Sequence, residues 1–285
     1  MSARAILIFA GLVLAGCSGG GSRSGERPGA QVDEGPRSEP NASGADSTPR
    51  EANPAARIDE DRPLRVLVTG FHDWRELGDP PAIWRCRDNP SCRLLIGAAR
   101  LDASGPPDRL AGPLVERLQR AAPSIEWSFR TLPVTWGAFS SVPREHDVII
   151  NIGLGVYDRF DALQLERGAY NLQAGADALG VEANGPIDES EGNVLDPPAG
   201  SPIAGRIDAL VGRTIAGFTI LGAAARAENS YLCNQTHWFA LASVDAEGEQ
   251  GPREVYFLHI PYAKDDDYAP LADAVAGVVL ELVDR

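Results

Sequence analysis

Four short apolar runs limit what this chain can fold into. They are Arg65-Val66-Leu67-Val68-Thr69-Gly70-Phe71, Asp147-Val148-Ile149-Ile150-Asn151-Ile152-Gly153, Gly217-Phe218-Thr219-Ile220-Leu221 and Val255-Tyr256-Phe257-Leu258-His259-Ile260. None alternates polar with apolar as a half-buried strand does, so each reads as a strand, the first two as buried ones. Residues 125–134 do alternate, ending in Leu132-Pro133-Val134. Helical patterns fall between the strands. Leu110, Leu114, Val115 and Leu118 share one face over residues 108–121, with Asp108 as the N-cap. Residues 207–216, the stretch around Trp238 and residues 270–283 supply further helices. Strands alternating with helices specify an α/β fold, here a mostly parallel twisted sheet with helices on both faces, a three-layer α/β/α sandwich. Residues 172–202, rich in Gly, Pro, Asp and Glu, read as a long loop with a strand or two.

Residues 63–285 hold all of this and suit one domain. What precedes them differs in kind. Arg4 and the apolar residues 5–14 form a leader too short to span a membrane. Leu14-Ala15-Gly16-Cys17 then resembles a bacterial lipobox, whose cysteine is acylated and becomes the new N-terminus. Residues 1–16 are expected to be a signal peptide, and residues 17–62 the lipidated Cys17 with a disordered tether. That segment is too polar to offset its ordering entropy, and as a coil it spans roughly 35–40 Å. The expected location is the bacterial cell envelope, with Ser18 after the cysteine favouring the outer membrane, on its periplasmic or surface side. Lys and Arg number 26 against 40 Asp and Glu, a net charge of −14. So acidic a chain argues against nucleic acid and against adsorption to anionic lipid, which leaves membrane contact to the lipid anchor.

The four cysteines have three fates. Cys17 takes the lipid. Cys86 and Cys92 are close in sequence, and an exported chain meets an oxidising compartment, so they are expected to form a disulfide. Zinc is the competitor, but no matching second ligand pair is visible. Cys233 is left as a free thiol. It stands in Ser230-Tyr231-Leu232-Cys233-Asn234-Gln235-Thr236-His237-Trp238, between a strand and a helix. A thiol at a helix N-terminus lies among unpaired N–H groups at the positive end of the dipole, which favours thiolate. The same N–H groups can hold the oxyanion of an acyl-transfer intermediate. Two histidines are candidate bases. His259 is near the carboxyl end of its strand, where such sheets gather functional groups. His237 follows Cys233 by one helical turn on the same face. Spacing does not choose between them. Gly153-Leu154-Gly155 lacks the third glycine of a dinucleotide fingerprint and has Asp158 there, whose charge would repel phosphate. No cofactor and no metal is called for.

Taken in order, several segments resemble one family. Thr69-Gly70-Phe71 with Asn89-Pro90-Ser91, Leu132-Pro133-Val134, Leu165-Glu166 with Ala169 and Asn171, Tyr231-Leu232-Cys233-Asn234, and His259-Ile260-Pro261 are similar to the type I pyroglutamyl peptidases (pyrrolidone-carboxylate peptidases). These are cysteine peptidases with an α/β sandwich fold. The resemblance spans residues 64–285. It implies removal of N-terminal pyroglutamyl residues from peptides through a Cys-His-Glu triad and a thioester. Cys233 is then the nucleophile, His259 the base and Glu166 the residue that orients the imidazole. Phe71 and Trp74 become walls for the lactam ring, with Tyr231 and Leu232 nearby, and Asn89 braces the first loop. The implied partner is a peptide with an N-terminal pyroglutamate. The sequence departs from the pattern at Asp73-Trp74-Arg75, where the family has Pro-Phe-Gly, and at Glu228-Asn229, where it has Ala-Gly. Asp73 and Arg75 are expected to alter the pocket mouth. The loop after Asn171 lacks the usual Asp-Asn segment. Two other functions fit the same residues: a thiol amidase for another small cyclic or N-acyl amide, and a catalytically silent lipoprotein that binds peptides.

Overall fold

A computed structural model of the chain describes residues 62–73, 85–97, 110–197, 199–246 and 251–284. The leader, Cys17, the tether through residue 61, Trp74, Arg75 and Asp108 lie outside the described residues. In chain order the elements are β1 (Arg65–Phe71), α1 (Pro90–Leu95), α2 (Pro113–Ala121), β2 (Glu126–Leu132), β3 (Val148–Val156), β4 (Ala162–Glu166), β5 (Ala169–Tyr170), β6 (Gln173–Ala176), β7 (Glu182–Gly185) and β8 (Val194–Leu195). There follow α3 (Pro202–Leu210), β9 (Thr214–Ile215), β10 (Phe218–Ala223), α4 (Leu232–Ala246), β11 (Glu254–Pro261) and α5 (Tyr268–Val283).

Seven strands form one sheet in the order β2-β1-β3-β11-β4-β10-β9. β2, β1, β3 and β11 run parallel, β4 is antiparallel to β11 and parallel to β10, and β9 closes on β10 as an antiparallel hairpin. The sheet is therefore mostly parallel, as the runs without alternation require. Every residue of β11 is buried, which only a central strand covered on both sides achieves. Two small ribbons, β5 with β8 and β6 with β7, stand apart from it.

The two faces can be assigned from β1 and β3. A Cβ added to Gly70 would lie 2.6 Å from the Ser91 carbonyl oxygen in α1. One added to Gly153 would lie 2.8 Å from the Cys233 sulfur in α4. Gly70 pairs with Ile152, the neighbour of Gly153, and adjacent residues of a strand point to opposite faces. So α1 and α4 cover opposite faces. On the α1 side α2 and α3 pack against α5, whose buried Ala272, Ala274 and Ala276 let backbones approach closely. Among the described residues no helix is long and apolar enough to cross a membrane.

Two helices begin elsewhere than the periodicity suggests. α2 starts at Pro113, not near 108, because Gly112 is its N-cap and Leu110 lies before it. An added Cβ at Gly112 would meet the Leu94 carbonyl oxygen at 2.4 Å, so the α1–α2 junction admits no side chain there. α3 covers 202–210 instead of 207–216. Ser201 caps it through the Ala204 N–H, Pro202 occupies the first turn, and Gly212 at φ +87° turns the chain into β9. β4 has no counterpart among the expected strands.

Substituting Gly70→Ala tests how tightly α1 sits on β1. The carbonyl it meets is backbone and has no rotamer to yield, so the helix must shift. A loss of about 1–3 kcal/mol is expected, read as a lower urea midpoint at unchanged m; an unchanged midpoint would show that the contact is soft.

Candidate active site

Three strands and one helix converge where β3 and β11 end. Cys233 is the second residue of α4 and is half-buried, and it is the free cysteine among the described residues. Asn234 fixes that first turn. Its side-chain oxygen accepts from the Tyr170 N–H at 2.8 Å, and its amide donates to the carbonyls of Tyr170 and Leu172 at 2.7 and 2.9 Å. The thiol is thereby held at the helix N-terminus, beside backbone N–H groups that have no partner within the helix.

The imidazole comes from β11. His259 pairs with Gly153 across β3, and an added Cβ at Gly155 would stand 2.4 Å from the His259 ring. Gly153 and Gly155 are two residues apart on one strand and so face the same way. One leaves room for the sulfur, the other for the ring. The pair that resembled a fragment of a phosphate loop is the floor beneath Cys233 and His259.

The carboxylate comes from β4. His259 pairs with Gln164 across the antiparallel β11–β4 ladder, so Glu166, two residues on, points to the same face. The His259 Nδ1–H donates to Glu166 Oε1 at 2.7 Å, and the Gln164 amide donates to the same oxygen at 3.0 Å. With Nδ1 engaged, Nε2 is the nitrogen left for the Cys233 thiol, which acts on His259 electrostatically. Burial alone would lower the His259 pKa. The interactions with Cys233 and Glu166 outweigh it and raise the value to about 10. Burial would raise the Glu166 pKa, but the hydrogen bond and charge of His259 bring it below the ordinary range. The carboxylate is ionised and the imidazole holds its proton through neutral pH.

His237, the rival base, is placed otherwise. It is buried between α4 and the sheet with its ring 5.7 Å from that of Phe257. Neither ring nitrogen has a hydrogen-bond partner among the described residues. Burial pushes its pKa down to about 4, so it is neutral. The structure pairs His259, not His237, with Glu166.

Cys233 opens into a cavity of about 550 Å³ whose walls include Phe71, Asn89, Tyr231 and Leu232. Four of the five residues expected to line a pocket are thus together, and Trp74 is the one outside the described residues. Asn89 braces the loop by donating to the His72 carbonyl at 2.8 Å and capping α1 through the Ser91 N–H. Asp73 does not alter the mouth of the cavity. It is buried, and its carboxylate accepts the backbone N–H groups of Arg87, Asp88 and Asn89, each at 2.9 Å. Cys86 and Cys92 are joined, with their Cα atoms 5.5 Å apart. Sequence reasoning missed Tyr157 and Tyr262, which line the same cavity. Both follow the carboxyl ends of central strands, and that position was the available signal.

By sequence, no protein-family model and no curated protein matches the chain. By structure, it resembles solved pyrrolidone carboxyl peptidases. The enzyme of Thermococcus litoralis aligns at a TM-score of 0.51, covering 78% of this chain and 94% of its own, at 19% identity. A mutant enzyme of Pyrococcus furiosus aligns at 0.50, covering 77% and 98%, at 20% identity. At such identity the likeness is one of fold.

Glu166→Gln keeps the shape of the carboxylate and removes its charge. The imidazolium loses support, so the His259 pKa falls. Followed through the imidazole NMR signals, it is expected to fall by about one unit or more. An identical titration in the variant would mean that Glu166 does not act on the imidazole.

Proposed function

We propose that this chain is a cysteine peptidase that removes N-terminal pyroglutamyl residues from peptides. The observation that carries this is a free thiol at a helix N-terminus, set beside an imidazole bound to a buried carboxylate, and opening on a cavity whose lining, among the described residues, includes no charged side chain. The fold resemblance supports the same reading. An ordinary N-terminal residue carries an ammonium group, and placing it against these aromatic and aliphatic walls would strip its water without a counter-charge. A pyroglutamyl residue has no such charge, because its amine is closed into a neutral lactam.

In this mechanism the Cys233 proton already resides on His259 Nε2 when substrate arrives, and Glu166 holds the imidazolium. The thiolate attacks the pyroglutamyl carbonyl, with N–H groups at the start of α4 facing the developing oxyanion. His259 then protonates the departing amine, and water, activated by the same imidazole, hydrolyses the thioester. The lipobox reading adds a setting: processed at Cys17, the enzyme works tethered at the cell envelope.

The full chain is expected to release arylamine from a pyroglutamyl arylamide and to ignore the alanyl arylamide, whose amine is free. Cys233→Ala and His259→Ala should each lower kcat/KM by roughly 10⁴-fold or more, since members of such a unit fail together. Equal turnover of the alanyl compound would overturn the pyroglutamyl specificity. Tight binding of pyroglutamyl peptides without cleavage, by protein whose Cys233 still alkylates, would make this a binding protein instead.

A further inference from the structure

The cysteine pair has a third neighbour that spacing in the sequence does not reveal. His72, just past the end of β1, places Nδ1 3.6 Å from the Cys86 sulfur and 3.9 Å from the Cys92 sulfur. All three side chains are at 0% exposure, and their donor atoms lie within 4.8 Å of one another. We infer that, when Cys86 and Cys92 are reduced, they and His72 hold a thiophilic d¹⁰ metal ion, Zn²⁺ or Cu⁺.

The donor set is the first argument. Two thiolates and an imidazole are what these ions select. Distance is the second. With metal–sulfur bonds of about 2.3 Å and metal–nitrogen bonds of about 2.0–2.1 Å, tetrahedral or trigonal angles put sulfur and nitrogen about 3.6–3.8 Å apart. The two nitrogen–sulfur separations already have that size, so only the sulfurs must part.

The frame is the third argument, because it does not depend on the sulfur–sulfur bond. Cys92 is in the first turn of α1, whose cap is the Asn89 side chain. Cys86 begins a loop whose next three backbone N–H groups are held by the Asp73 carboxylate. The Asp73 N–H donates to the Arg85 carbonyl at 2.8 Å, and the Asn89 amide donates to that of His72. Reduction therefore frees two thiols inside a scaffold still tied by hydrogen bonds.

The chemistry balances simply. A phosphine or dithiol reductant supplies two electrons, the disulfide takes them with two protons, and the reductant is oxidised. Binding of Zn²⁺ then releases two protons as both thiols become thiolates, while neutral His72 offers the Nδ1 lone pair. The site has its own link to the cavity. Phe71 precedes His72 and Asn89 lies between the cysteines, and both residues line the cavity, so disulfide and metal would hold that wall through different bonds. None of this rests on the peptidase reading.

The test uses the full chain carrying Cys17→Ser and Cys233→Ser, which leaves Cys86 and Cys92 as its only cysteines. The protein is reduced with a phosphine, desalted without oxygen, and titrated with Zn²⁺, with Cu⁺, and with Co²⁺ as an optical probe. The expected result is one ion per chain for the reduced form and none for the oxidised form, with thiolate-to-cobalt charge-transfer absorption and two protons released per Zn²⁺. His72→Ala should weaken binding by at least the roughly 10–100-fold seen when a ligand loses its outer partner, and Cys92→Ser should abolish it. Failure of the reduced parent to take up either Zn²⁺ or Cu⁺ overturns the proposal without recourse to any ligand variant. Binding by a His72→Ala protein of native circular dichroism as tight as the parent's overturns the role of the histidine.

Discussion

The 2.7 Å contact between the Glu166 carboxylate and the His259 imidazole is the interaction on which the rest of the site depends. Both groups are buried, and the second carboxylate oxygen has no hydrogen-bond partner among the described residues. A carboxylate so placed has little besides the Gln164 amide and the imidazolium to replace the water it has lost. Removing one member of a buried pair typically costs about 3–5 kcal/mol, because the other charge is left uncompensated. The same interaction helps keep the proton on His259 beside the Cys233 sulfur. One contact therefore ties the local packing to the reactivity.

Register sets that contact. The antiparallel β11–β4 ladder puts Gln164 opposite His259, and alternation along β4 turns Glu166 to the same face. β3 contributes by what it lacks. Its two glycines let the helix N-terminus and the imidazole come down onto the sheet together, and the Phe257 ring, edge-on at 4.9 Å, closes the inner side of the imidazole.

How much of this the sequence discloses varies from residue to residue. β1, β3 and β11 are legible because strands covered on both faces must be apolar throughout, and Cys233 at a helix start is legible because composition changes abruptly there. β4 is not: Ala162-Leu163-Gln164-Leu165-Glu166 is short and mixed, and its pairing with β10 and β11, far away in the chain, makes it a strand. The start of α2 is hidden for a related reason, since the close approach at Gly112 is set by α1. The choice between His237 and His259 could not be made by spacing, because the deciding partner, Glu166, lies 93 residues from His259. His72 has no local context either; what gives it one is the return of the chain through Cys86 and Cys92.

The two sulfur centres differ most in access. Cys233 faces a cavity, whereas Cys86 and Cys92 are fully enclosed. Thiol–disulfide exchange needs an attacking thiolate to reach a sulfur, so any reagent entering from solvent meets Cys233 first. An oxidant therefore strikes the reactive thiol while the enclosed pair is shielded, and a reductant restores that thiol before it opens the pair. The fold in this way separates a sulfur that, in the proposed mechanism, must stay reduced to react from two that hold a wall of the same cavity, although the residues bearing on both, Phe71 and Asn89, are shared between them.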